Sequence, residues 1–312
     1  MTTVIYSHPI FLNHETGPGH PECTDRLRVI QSALKAPEFS HAIRKEAPRG
    51  TKTQILSTHS KDHLDRLMQA VPSHGLIRLD GDTLMSNHSL DAAFHAAGAV
   101  CDAVDMVMAR QADNAFCAVR PPGHHAERNR AMGFCLFNNI AIAANHARNR
   151  HSIERIAIVD FDVHHGNGTQ DIFQHQTGVL YASSHEMPLY PGTGNRNETG
   201  AGNLFNVPLS AGADSIEFRN AMKEIIFPAV NDFQPELLLV SAGFDAHWAD
   251  PLASVRLTED DFRWITRELL QIANRHCSGR LVSTLEGGYD LQALENSTAT
   301  HVRELLRNEL QP

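Results

Sequence analysis

Residues 120–126 read RPPGHHA and set two imidazoles, His124 and His125, side by side after a proline–glycine turn. Residues 160–166 read DFDVHHG, in which Asp162 and His164 stand two apart. On a strand end that spacing turns both side chains to one side. A carboxylate and an imidazole so placed suit a divalent cation, and Asp245, in SAGFDAHWADPL (241–252), could supply a third ligand. Three protein ligands leave a coordination position for water, the pattern of a catalytic rather than a structural zinc site. Two carboxylates and one histidine also suit Fe²⁺ or Mn²⁺. A D-x-H pair alone fits a buried hydrogen bond as well as it fits a ligand pair. The chain carries 20 histidines, many in pairs or beside Asp, Gly and Pro, so a histidine-rich surface competes with a metal or acid–base site.

The elements that must position these residues are legible as short apolar runs at 3–7, 115–119, 155–161, 178–183, 236–242 and 280–286. They are continuous rather than alternating, as in strands covered on both faces. Between them, 89–108 keeps Leu90, Phe94, Ala97, Cys101, Val104 and Met108 on one helical face. The stretch 258–276 does the same with Phe262, Ile265, Leu269, Ile272 and Ala273, and opens with Thr258 three residues before Asp261, as in a capping box. Strands alternating with helices predict an α/β fold: a mostly parallel sheet with helices on both faces, three layers deep. No linker or repeat divides residues 1–312, which predicts one domain. RPPGHH, DFDVHHGNG, AGFDAHWADP and EGGYD each follow a predicted strand. Ligands of open parallel sheets bind outside the carboxyl ends of the strands, so these residues are expected to converge on one edge.

The net charge of −9 argues against a nucleic-acid partner, which would call for a basic patch. Cysteines at 23, 101, 117, 135 and 277 form no C-x-x-C pair and are odd in number, which predicts reduced thiols and a cytoplasmic setting. MTTVIYSHPI lacks the basic start and long apolar run of a signal peptide, and no run of apolar residues is long enough to span a membrane.

RPPGHHA, GFCLFNN, DFDVHHGNGTQ, YPGTG, SAGFDAHWADPL and LEGGYD, in this order and together with GHPECTDR (19–26), resemble the zinc-dependent histone deacetylase family. More narrowly they resemble its class II branch and the bacterial deacetylase-like amidohydrolases. The resemblance implies the arginase/deacetylase fold, with a sheet of about eight strands. It also implies one catalytic Zn²⁺ on Asp162, His164 and Asp245. In that family pattern His125 is the general base and then acid, His124 is its electrostatic partner, Asp160 orients His124, and Tyr289 polarises the acyl carbonyl. Some members carry Asp where this chain has Asn167. Asp160 can stabilise an imidazolium, whereas Asn167 can only orient a ring, so His124 is expected to hold a proton more tightly than His125.

By the same resemblance Gly133, Phe134, Tyr190 and Leu252 line the substrate channel, Tyr190 standing where many relatives have Phe. A narrow aromatic slot suits a lysine stem with a small acyl group. Leu252 falls where polyamine-specific relatives carry Glu. Asp82 lies near a position that bonds substrate backbone, or is a plain loop aspartate. Arg26 matches a residue lining a cavity behind the zinc, or is a surface helix arginine. Structural K⁺ ions are implied, one near Asp160, Asp162, His164, Ser183 and Ser184. The expected activity is hydrolysis of acetyl-lysine in a peptide or protein, or of a similar small acetylated amine, with no membrane partner and a homo-oligomer open. An acetylpolyamine deacetylase is the alternative enzyme. A non-catalytic acyl-lysine binding module is the alternative from another class, against which Tyr289 and the complete ligand set count.

Overall fold

Every predicted strand forms, with bounds within three residues of those expected. The computed structural model describes residues 1–307, so the last five residues of the expected 1–312 unit lie outside the described residues. In chain order the strands are β1 (Thr3–Ser7), β2 (Ile43–Glu46), β3 (Ile77–Arg78), β4 (Leu84–Met85), β5 (Asn114–Cys117), β6 (Ile156–Asp160), β7 (Val179–Glu186), β8 (Leu204–Leu209), β9 (Leu237–Ala242) and β10 (Leu281–Leu285). β3 and β4 make a small antiparallel hairpin; the other eight form one sheet in the order β2-β1-β5-β10-β9-β6-β7-β8. All its neighbours are parallel.

β5, β6, β9 and β10 are buried along their whole length, which explains their unbroken apolar runs. The sheet edges, β2 and β8, went unseen in the sequence. β2 reads IRKE and is mostly exposed. β8 reads LFNVPL, and its Pro208 is tolerated because an edge strand can lack one amide donor.

The helices are α1 (Thr24–Ala33), α2 (Lys52–Leu56), α3 (Lys61–Ala70), α4 (Ser89–Met108), α5 (Asn139–His151), α6 (Asn167–Phe173), α7 (Ser215–Ala221), α8 (Phe227–Phe233), α9 (Glu259–His276) and α10 (Leu291–Leu305), with a π-helical turn at Met222–Ile226. α4 packs on α5, while α10 packs on both α1 and α9, giving a helical layer on each face of the sheet. α4 spans the predicted residues, and the predicted cap of α9 forms: Asp261 accepts the Thr258 amide at 3.0 Å. α5 starts where Asn138 caps the Ala141 amide at 3.0 Å and stops at Ser152, whose left-handed φ of 55° breaks the helix.

The four strands that carry the chemical motifs, β5, β10, β9 and β6, are consecutive in the sheet. At about 4.8 Å per neighbour their carboxyl ends span about 14 Å, so loops from all four can meet above one end of the sheet.

Candidate active site

His124 and His125 follow β5; Asp160 closes β6, with Asp162 and His164 just beyond it; Asp245 follows β9; Glu286 and Tyr289 follow β10. Asp162, His164 and Asp245 are all buried. His164 Nδ1 lies 3.2 Å from Asp162 Oδ1 and 3.1 Å from Asp245 Oδ2. The other oxygen of each carboxylate is tied to backbone: the Gly287 amide donates to Asp162 Oδ2 at 2.8 Å, and the Val163 amide to Asp245 Oδ1 at 2.9 Å. Asp162 Oδ1 also accepts the His164 amide at 2.9 Å, so backbone bonds orient both carboxylates with one oxygen of each toward the imidazole, as orienting partners of a metal ligand do. The three potential donor atoms lie within 4.8 Å of one another, a set that can hold a metal ion.

The electrostatics ask for a cation at this point. Burial disfavours a charged His164, yet bonding to Asp162 and Asp245 outweighs it and pushes that ring up to about 10. Burial, and then the neighbouring Asp162, hold Asp245 above the ordinary carboxylate range. Two buried carboxylates facing each other repel unless positive charge sits between them. Gly287 permits the close approach: a Cβ there would stand 1.9 Å from Asp245 Oδ2.

The two adjacent histidines have different partners. His124 Nδ1 donates to Asp160 Oδ2 at 3.0 Å, and that oxygen also accepts the Tyr181 hydroxyl at 3.0 Å. Burial works against charge on His124, but Asp160, Asp162 and Glu286 outweigh it and push the ring up to about 10. His125 Nδ1 lies 2.8 Å from Asn167 Oδ1. The Asn167 amide nitrogen donates to Glu127 Oε1 at 2.8 Å, which fixes the Asn167 oxygen toward His125. His125 Nδ1 must therefore carry the proton, leaving Nε2 with its lone pair. Burial first, then the charge on His124, holds His125 well below the usual histidine value. The rings are 4.0 Å apart between centroids.

Tyr289 packs its ring edge-on against Phe134 at 5.9 Å, with the Arg26 guanidinium 5.0 Å from its centroid. Burial, and next Asp245, keep its phenol protonated. Arg26 is no surface residue. It is fully buried and donates to the carbonyls of Gly288 at 2.6 Å and Glu286 at 2.5 Å, so it ties down the loop that carries Tyr289.

Of the expected channel residues, Gly133, Phe134 and Tyr190 gather around His125 and Tyr289. Tyr190 meets His125 edge-on at 5.1 Å on one side, and Phe134 faces Tyr289 on the other. Gly133, at a φ of 56°, lies flat against His125, and a Cβ there would fall 2.4 Å from the ring. Thr83 Oγ1 accepts the Phe134 amide at 3.1 Å and donates to Asp82 at 3.2 Å, which places Asp82 near Phe134. Leu252 is half-buried beside Asp250. Ser183 stands next to Asp160 in register, but its hydroxyl meets His185 at 2.9 Å; the Ser184 hydroxyl is buried without a partner.

A family model described as the histone deacetylase domain matches residues 20–305. The chain belongs to the histone deacetylase family. A probable deacetylase of Archaeoglobus fulgidus is 38% identical over 94% of this chain and 82% of that protein. A histone deacetylase-like amidohydrolase of Pseudomonas aeruginosa is 39% identical over 87% and 73%. Among solved structures, the HD domain of HDA15 superposes with a TM-score of 0.90 at 33% identity, over 97% of this chain and 90% of that one.

Within this deacetylase fold two side chains went unnoticed in the sequence. Glu286 is fully buried; its Oε2 accepts the amides of Gly123 at 2.7 Å and His124 at 3.1 Å, and its Oε1 accepts the Ser241 hydroxyl at 3.1 Å. It fixes the His124–His125 loop from behind. Asp250 Oδ2 accepts the Tyr289 amide at 2.6 Å and thereby sets the base of the tyrosine. Both act through backbone amides, which leave no mark in residue type. The signal available was position: each is a carboxylate within a motif that follows a buried strand.

Proposed function

We propose that this deacetylase hydrolyses the amide of an acetylated lysine side chain, or of a similar small acylated amine, at a single zinc ion held by Asp162, His164 and Asp245. The observation that carries this reading is the adjacency of that ligand set to a histidine whose Nε2 is left free by Asn167. When bound, zinc would acidify a water toward neutral pH and withdraw electrons from the acyl carbonyl. The chain's own groups do the rest. His125 Nε2 accepts a proton from water in the cleft and returns one to the leaving amine, a role typically worth ~10²–10⁴-fold. His124, held by Asp160, contributes charge rather than proton transfer. The Tyr289 hydroxyl donates a hydrogen bond to the acyl oxygen as negative charge develops there, a type of contact typically worth about 3–4 kcal/mol. Phe134 and Tyr190 wall an apolar slot for the substrate's alkyl stem and exclude water from it.

Leu252 favours acyl-lysine over acetylpolyamines, since it offers no carboxylate for a second ammonium. We further propose a structural potassium ion near Asp160, Asp162, His164, Ser183 and Ser184, supported by the unpartnered buried hydroxyl of Ser184. The five unpaired cysteines support a reducing, cytoplasmic setting. The test is metal analysis combined with turnover of an acetyl-lysine peptide, acetylputrescine and acetylspermidine. Turnover of the peptide is expected; turnover of the polyamines alone would overturn the assignment of substrate. Binding of the peptide without turnover by metal-loaded protein would overturn the assignment of activity.

A further inference from the structure

A second cluster of metal-ligating side chains lies away from the cleft. Asp105 sits in the last turn of α4, and His146 and His151 in the last turns of α5. His146 Nε2 is 2.9 Å and His151 Nε2 is 2.6 Å from the same oxygen, Asp105 Oδ1. The three donor atoms lie within 4.8 Å of one another, and no other group of this kind besides the catalytic one occurs among the described residues.

We propose that Asp105, His146 and His151 form a second divalent-metal site, selective for zinc-class cations, that clasps α4 to α5. One carboxylate and two imidazoles are a borderline-hard donor set suited to Zn²⁺, Co²⁺ or Ni²⁺. At metal–ligand distances of about 2.0–2.2 Å, donors of a tetrahedral site stand about 3.3 Å apart. The observed separations from Asp105 reach that with a few tenths of an ångström of opening. A metal takes the Nε2 lone pair of an imidazole whose proton sits on Nδ1, so each ring can turn the Nε2 it now holds toward Asp105 to an ion instead. The setting favours a cation twice over. The C-terminal turns of two helices bring their negative ends together here. The Asp105 side chain is also 42% exposed, so an ion can enter and keep water in its remaining positions.

The position separates this site from catalysis. α5 begins at Asn139, whose neighbour Asn138 bonds the His124 carbonyl at 3.4 Å, and ends at His151. At a rise of about 1.5 Å per residue, His146 stands about 10 Å and His151 about 18 Å along α5 from that start, toward the amino ends of the strands, where β6 begins at Ile156. Occupancy would therefore stabilise the fold without touching turnover.

The experiment is equilibrium dialysis of the full chain against buffered zinc up to micromolar free ion, with metal counted per chain. Wild type is expected to bind two zinc ions; H146A/H151A and D105N are expected to bind one and to keep wild-type turnover. Excess zinc should raise Tm by roughly 5 °C at 100-fold over Kd in wild type, and not in the variants. A single zinc in wild type, or a second zinc that survives in H146A/H151A, would overturn the proposal. Retained turnover in the variants reports that they fold, and loss of the first zinc would count against the catalytic ligands instead.

Discussion

Asn167→Asp separates charge from geometry at the proposed base. Aspartate is nearly isosteric with asparagine, and its oxygen still accepts from His125 Nδ1 at the 2.8 Å seen for Asn167. The tautomer is therefore kept, and only a negative charge is added. A unit charge about 4 Å from the ring's charge centre, at an effective dielectric near 20, is worth about 4 kcal/mol, or close to 3 pKa units. Glu127, bonded to the Asn167 amide at 2.8 Å, becomes a like-charged neighbour and absorbs part of that effect. The expected net rise in His125 is therefore about 1–3 units. The sign is set by the role: a base with a higher pKa stays protonated to higher pH, so the acid limb of kcat/KM moves upward by that amount. Adding Glu127→Gln removes the competing carboxylate and should enlarge the shift. The assay is a pH profile of kcat/KM on an acetyl-lysine peptide for wild type, N167D and E127Q/N167D at equal metal content. An acid limb that stays in place in both variants would refute His125 as the base.

Tyr289→Phe should lower kcat by ~10²–10³-fold with metal content unchanged, because only a transition-state hydrogen bond is lost; steady-state kinetics alongside metal analysis checks it. Glu286→Ala leaves the Gly123 and His124 amides buried without their acceptor. It should cost about 1–3 kcal/mol of stability and lower kcat more than it changes KM, whereas Glu286→Gln, which can keep both bonds, should recover most of each. Urea titrations and kinetics on the pair distinguish the two. His59 and His301 are pushed down to about 3 by burial, from an ordinary value of 6.5. Their folded values lie below the unfolded ones, so the stability they confer is complete above about pH 6.5 and is lost as pH falls toward 3. At pH 4.5 the loss is about 3 kcal/mol for each, and denaturant midpoints that stay flat from pH 7 to 4.5 would contradict it.

What the sequence could reveal follows from how each element is stabilised. Strands buried on both faces must be apolar throughout, so β5, β6, β9 and β10 stood out, and with them the edge where the chemistry gathers. β2 and β8 lie at the sheet's margins, where exposure and a tolerated proline erase that signal. The grouping of Asp162, His164 and Asp245 was legible from side-chain type and spacing at strand ends, and the unequal partners of His124 and His125, Asp160 and Asn167, from the family resemblance. Glu286, Asp250 and the buried role of Arg26 were not, because they work through backbone amides and carbonyls contributed by distant segments. Asp105, His146 and His151 were hidden for a related reason: their meeting depends on the packing of α4 against α5.

The central claim is that one metal ion on Asp162, His164 and Asp245 makes this deacetylase active. The direct test strips the protein with a chelator, adds zinc back in steps, and follows turnover of an acetyl-lysine peptide against metal bound. Turnover should vanish on stripping, return in full with the first zinc bound per chain, and fail to return in Asp245→Asn. Undiminished turnover by the stripped protein, or full recovery in Asp245→Asn, would contradict the account.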